Sequence, residues 1–535
     1  MPKWKKMLYA LLSAAVVAGC VWLLSALLQK PDTCADGVEK QDDGQCVGVN
    51  GSGYDFGTPE IRPVADAIAE ENQRIAGQPH VTVAVMMPLQ SKPGSALSRQ
   101  IRSDLQGAYL GQRQANGGEG EPPKIRLVLA NPGKDYGRQE QVVGTLLKMA
   151  DSSEDRLRAV TGFNLSLDAT EKAVKRLTEN RVAVLASRIS GDRIANEESA
   201  DGQARQRFPG LARIIPANHD AAQALAQFNG DQKRQNKRTV LVYDKREDSY
   251  SQSLAKAFSG IEETGPAGPA AMPFESPGID DKGSTGNQFT QIANNICDSK
   301  ADIIYFAGRS LHLRILALKL AQMNCGSRTY TLVSGSDAAS LRQDMSEANW
   351  EQLRGPDGKP KVTVQYAAPA HPDAWRTELA KHAQRSGGKK GEEGPRYLTE
   401  PKAALDALQK EIDDLEGKGV KLGSEPNLED SRTMLVYDGM VTIGRALHQA
   451  QKGDESKVPD RRDVGGQWNL LQSRHRVQGT SGLICLTSGG NPYDKPVAVV
   501  ELDPGHGGAG RLKFAGLGWP TGSPQPDHCV IPSGK

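Results

Sequence analysis

The sequence predicts an α/β protein built from two doubly wound lobes, and three observations carry that prediction. Short apolar runs suited to buried strands alternate with amphipathic helical patterns along most of the chain. The alternation comes in two series, separated by the polar stretch Asn229–Lys237. At 535 residues the chain is also too long for one compact core.

The clearest single unit is Leu157–Ser187. Leu157–Thr161 is a short apolar run, and Gly162 punctuates it. Asp168, with Glu171 three residues on, predicts a capping box that opens a helix. Ala169, Ala173, Val174 and Leu177 recur at helical spacing, and Val182–Ala186 reads as the next buried strand. Strand–helix–strand implies a parallel sheet with a right-handed crossover. The loop Gly162–Leu167 then lies where a strand's carboxyl end meets a helix amino terminus. Free N–H groups there suit a carboxylate or phosphate.

In chain order, Met7–Leu28 carries no charge and would reach roughly 33 Å as a helix, enough to cross a bilayer core. Lys3, Lys5 and Lys6 precede it, which keeps the amino terminus cytoplasmic and puts everything after Lys30 outside. Val17-Ala18-Gly19-Cys20 resembles a bacterial lipobox, so lipidation of Cys20 is the alternative anchor. The bulk of the chain is expected to be extracellular, tethered to the cell membrane by a single pass. Residues 31–78 read as a stapled loop and a helix.

The first series runs from residue 79, with strands Val81–Met87, Ile125–Ala130, Leu157–Thr161 and Val182–Ala186 and helices Ser98–Asn116 and Gln139–Ala150 between them. The second runs through strands Thr239–Tyr243, Ala301–Phe306 and Thr329–Val333, with one further short strand at Ala270–Phe274. Residues 387–426 look like a solvated insertion, and Arg432–Gln451 is a strong amphipathic helix.

Six cysteines besides Cys20 fall in sequence order into Cys34/Cys46, Cys297/Cys325 and Cys485/Cys529. Six allow fifteen connectivities, of which nearest-neighbour pairing is the simplest. Disulfides suit an oxidising exterior, and no C-x-x-C marks a zinc or redox site.

Several function classes lose support. The net charge is +2 and the aromatic fraction 5%, which argues against nucleic acid as a partner. Gly505–Gly510 fits G-x-G-x-x-G, but Arg511-Leu512-Lys513-Phe514 beyond it does not open a helix, so a hairpin loop is the better reading. There is no Walker A, G-x-S-x-G or H-E-x-x-H, and no two His stand at metal spacing. No catalytic residue, metal or cofactor is expected.

Several segments resemble, in order, the type I periplasmic-binding-protein family of branched-chain amino-acid ABC importers. They are Val81–Leu89, Gly162–Thr170, Ala186–Ser190, Phe208–Ala226, Met434–Ala450 with Tyr437-Asp438-Gly439, and Val477–Asn491. Gln90-Ser91-Lys92-Pro93 departs from the family's Gly-rich first turn. The resemblance implies two Rossmann-like lobes joined by a hinge and exchanging chain. Lobe 1 would hold 79–237 with 427–472 returning, and lobe 2 would hold 238–426 with 473–535 returning.

It also implies a non-enzymatic protein that captures a small polar ligand between its lobes, an amino acid or similar zwitterion. An ABC permease and ATPase would be its partners. The alternative is a ligand-sensing or regulatory ectodomain without transport. Ligands of open parallel sheets sit beyond the strand carboxyl ends. Lobe 1 would therefore offer Gln90, Ser91, Asn164, Leu165, Ser166, Ser187 and Arg188. Lobe 2 would offer Asp244, Tyr250, Arg309, Ser336 and Asp337.

Overall fold

The computed structural model describes residues 32–117, 123–198, 204–231, 238–261, 270–323, 325–326, 328–354, 360–386, 394–451, 458–504, 511–526 and 528–531. The expected anchor Met7–Leu28 with Cys20, the start of the insertion (387–393) and the glycine run 505–510 lie outside them. Among the described residues no helix is long and apolar enough to cross a membrane.

Apolar strands build two sheets. The first is eight-stranded, in the spatial order Thr33–Ala35, Val38–Lys40, Cys46–Asn50, Lys124–Asn131, His80–Met86, Leu157–Thr161, Ala183–Ala186 and Leu211–Arg213. Its last five strands pair in parallel. The second is seven-stranded, in the order Ala270–Phe274, Thr239–Asp244, Ile303–Ala307, Tyr330–Ser334, Val362–Ala368, Val497–Asp503 and Arg511–Gly518. Its first five strands are parallel, and the closing pair is antiparallel. Strands such as His80–Met86 are buried on both faces, as helix-covered parallel sheets require.

Three disulfides join Cys34 to Cys46, Cys297 to Cys325 and Cys485 to Cys529, with Cα separations of 5.9, 5.7 and 5.8 Å.

Two helices far apart in sequence set the geometry of lobe 1. Ala96–Asn116 packs along Arg432–Ala450, and glycines allow the approach. A Cβ at Gly107 would stand 2.4 Å from the Thr433 carbonyl oxygen, and one at Gly111 2.3 Å from the Met440 Cβ. Gly162 matters for a different reason. Its φ is +90°, and a Cβ there would meet Val85 at 2.6 Å, so only glycine makes this turn.

Five sequence expectations are corrected. Residues 31–78 are not a separate unit. Cys46–Asn50 pairs antiparallel with Lys124–Asn131, because Val47 and Val49 continue the sheet's apolar face. The helix Asn218–Asp231 covers lobe 2, where Ala221, Ala222 and Leu225 join Leu241, Leu254 and Phe258.

The supposed solvated insertion contains the helix Arg396–Gly417. Its Leu398, Leu405, Leu408, Ile412 and Leu415 recur at helical spacing and bury in lobe 1's core. The hairpin Val477–Gly479/Gly482–Ile484 also packs there rather than on lobe 2, through Val477 and Ile484.

Finally, Asp168 forms no capping box. Asp168 is already the first helical residue and Leu167 takes the capping position, while Glu171 is drawn off to Arg193 and Arg207.

Candidate functional site

The chain passes between the sheets at 214–217, 369–373 and 485–496. Beside the first two crossings the carboxyl ends of the parallel strands face one another across a cleft. Lobe 1 lines it with Asn164, Ser166, Arg188, Ser190 and the helix start Asp430-Ser431-Arg432. Lobe 2 brings Tyr250, Arg309, Ser336 and Asp337, and Ile215, Pro369, Ala339 and Leu435 supply apolar wall. The free volume is about 30 Å³, room for a couple of waters, so any larger ligand enters by parting the lobes. A larger hollow, about 550 Å³, lies along the helices Asn218–Asp231 and Ser249–Ile261 around His219 and Lys256, with Asp192 at its edge. It gathers no comparable set of charges.

Lobe 1's charges rest on the two long helices. Arg188 Nη1 donates to both Asp104 oxygens, at 2.9 and 2.8 Å. Arg432 Nη1 reaches the same carboxylate at 3.3 Å and Nη2 reaches Gln100 Oε1 at 2.8 Å. Arg432 Nε is buried with no partner among the described residues. Burial, together with the neighbouring Arg432 charge, lowers the Arg188 pKa. Burial raises that of Asp430 against the pull of Arg432. Ser431 stands in the left-handed region at φ 67° and ties to the second crossing, donating to the Ala370 oxygen at 2.6 Å.

Lobe 2's charges sit in strand-end loops. Arg309 Nε and Nη2 each donate to Asp248 at 2.7 Å, while Nη1 stands 3.7 Å from Asp337. Its guanidinium lies over the Tyr250 ring, 4.6 Å from the centroid. Burial works against the Arg309 charge, yet Asp248 and Asp337 hold its pKa above the ordinary value. Asp337 Oδ2 accepts from Ser310 N at 2.8 Å. The Tyr250 hydroxyl accepts from Asp337 N at 3.1 Å, and burial pushes that phenol's pKa up.

Asn164, Ser166, Arg188, Tyr250, Arg309, Ser336 and Asp337 thus meet in one cleft. Gln90, Ser91, Leu165, Ser187 and Asp244 do not line it. The amino-terminal segment takes the first two. Gln90 Oε1 accepts from Cys46 N at 3.0 Å, and Ser91 N donates to Thr58 Oγ1 at 2.9 Å. Leu165 packs into lobe 1's core and Ser187 is buried close to Gly439. Asp244 holds Ser276 through its backbone N–H and hydroxyl, at 3.1 and 2.5 Å. That anchors a strap, 275–284, whose Ile279 crosses to bury in lobe 1's apolar cluster.

Sequence reasoning missed Asp104, Asp248, Asp430 and Arg432. Asp430-Ser431 just ahead of an amphipathic helix is a helix-start signature that could have directed attention there. Asp104 on the inner face of a predicted helix gave a weaker signal, since a buried carboxylate needs a partner.

No protein-family model and no curated protein sequence matches this chain. Solved structures do. A leucine binding protein, LivK, from Thermotoga maritima is 18% identical, over 82% of this chain and 98% of its own, with a TM-score of 0.54. An ABC transporter substrate-binding protein from Desulfitobacterium hafniense, in complex with Leu, is 15% identical over 81% and 99%, with a TM-score of 0.53. A solute binding protein of an ABC transporter from R. palustris, in complex with benzoate, is 13% identical over 82% and 96%, with a TM-score of 0.51. With its two sheets and the facing carboxyl ends of their strands, the chain has the two-lobed fold of the type I periplasmic-binding-protein family.

Proposed function

We propose that this chain is a solute-binding protein that captures a small polar ligand, an amino acid or similar zwitterion, between its lobes. The observation that carries the reading is the cleft, where guanidinium, carboxylate, amide and hydroxyl groups from both lobes converge at strand carboxyl ends. Guanidinium and carboxylate groups on both walls suit a ligand with both an anionic and a cationic end. Binding would bias an equilibrium between parted and closed lobes, and a partner would read the closed form.

Met7–Leu28 would tether the body outside the cell membrane, and an ABC permease and ATPase would receive the ligand. Lobe 1 would comprise the first sheet with the helices Arg396–Gly417 and Arg432–Ala450. Lobe 2 would comprise the second sheet with Asn218–Asp231.

The test is a thermal-shift screen of the full chain against amino acids, sugars, short peptides and aromatic acids. Ligand at roughly 100 times its Kd adds ~2.7 kcal/mol, a rise of several degrees in Tm. A screen without any shift would refute the reading.

A further inference from the structure

We infer that Arg432, acting with Arg188, is the anion-recognition element of the cleft and takes one carboxylate of the ligand; this rests on the solute-binding reading and adds a residue and a ligand class to it.

Two guanidinium groups share one carboxylate here. Arg188 and Arg432 both pair with Asp104, whose side chain is 1% exposed. Neither guanidinium therefore has a directly bonded carboxylate to itself, and a buried charge is costly unless paired. Asp430 acts on the two arginines only through space. Its Oδ1 accepts from the Arg432 backbone N–H and its Oδ2 from Gln343, so it touches no guanidinium. Arg432 is only 8% exposed, it lines the cleft, and its Nε–H is left without an acceptor among the described residues. A planar fork whose Nε–H is vacant is suited to a carboxylate oxygen. The opposite wall carries two carboxylates, Asp248 and Asp337, about the single Arg309, which leaves room there for a cationic end.

The experiment is calorimetric titration of the full chain with two probe pairs, L-leucine against L-leucinamide and benzoate against benzamide. Within each pair only the carboxylate differs. The wild-type chain should bind at least one carboxylate about 10-fold or more tightly than its amide, the scale of one charge-assisted hydrogen bond. Arg432→Gln should reduce that preference to within about 3-fold, and Arg432→Lys, which keeps the charge but loses the fork, should fall between. The lysine variant also serves if the glutamine variant misfolds. A carboxylate preference that survives Arg432→Gln in a folded protein overturns the inference, as does a wild type indifferent to the exchange. If neither carboxylate binds while the screen finds a neutral or cationic ligand, the inference falls and the solute-binding reading stands. If nothing binds, both fall.

Discussion

The two walls of the cleft occupy equivalent places in two copies of one fold, yet they are assembled in opposite ways. Lobe 2 holds one cation between two carboxylates, Arg309 between Asp248 and Asp337, all on loops that follow strands. Lobe 1 holds two cations on one carboxylate, and that carboxylate and Arg432 lie on helices 328 residues apart. Lobe 2's wall is local, and lobe 1's depends on how two distant helices pack. The charge each wall presents reflects that difference in construction.

Removing one partner of the local wall should have the largest effect. Asp248 and Arg309 are 1% and 4% exposed and joined by two hydrogen bonds of 2.7 Å. Asp248→Ala strands a buried guanidinium and is expected to cost ~3–5 kcal/mol in urea unfolding. Asp248→Leu with Arg309→Met should recover most of it. A single-variant loss below about 1 kcal/mol would mean that Asp337 already compensates Arg309.

The hinge provides a reference belonging to neither wall. Lys495 is 1% exposed, and burial pushes its pKa down to about 8 against the pull of Asp438. The free lysine value is about 10.4, so the unfolded chain binds more protons between the two values. Stability should therefore rise with pH across that window, by about 3 kcal/mol at most, with the full penalty present below it. Urea unfolding of wild type and Lys495→Met from about pH 7.5 to 10 checks this. The rise should be missing from the variant.

Next comes the helix pair that builds lobe 1's wall. Gly107→Ala puts a methyl 2.4 Å from the Thr433 carbonyl, a backbone atom that cannot swing aside. We expect ~1–3 kcal/mol of destabilisation. Because Asp104 lies one turn from the clash, the variant should also lose ligand affinity. An unchanged affinity with the stability loss would show that Arg188 and Arg432 do not depend on the helix spacing.

The same contrast governs what the sequence revealed. Tyr250, Arg309, Ser336 and Asp337 come within a few residues of recognisable strands, so strand-end reasoning reaches them. Asp104 and Gln100 lie inside one helix and Arg432 opens another, and their meeting depends on a glycine-mediated approach that no local pattern encodes. Gln90 and Ser91 stand at the end of a buried strand, but an added amino-terminal segment takes their hydrogen bonds first. Periodicity located most strands of the two parallel runs and several helices, but not the strands Cys46–Asn50, Leu211–Arg213, Val362–Ala368 and Arg511–Gly518. It put the region of Asn218–Asp231 in lobe 1 rather than lobe 2, because an apolar helix face does not say which sheet it covers, and the charged residues of Arg396–Gly417 masked the helical spacing of its leucines.

The smallest expected effect is at the rim, where the walls touch directly. Arg342 of lobe 2 pairs with Glu429 of lobe 1, and Gln343 donates to Asp430 at 2.7 Å. The Arg342 and Glu429 side chains are 39% and 43% exposed, so solvent screens the pair. A coupling of only ~0.2–1 kcal/mol is expected from a double-mutant cycle with Glu429→Gln and Arg342→Gln, shrinking as salt is added. Such a latch is too weak to hold the lobes shut and strong enough to bias them. Scattering from Glu429→Gln should show a slightly larger radius of gyration without ligand, returning to the wild-type value when ligand saturates the cleft. A coupling well above about 1 kcal/mol, insensitive to salt, would move control of closure from the two buried walls to this rim.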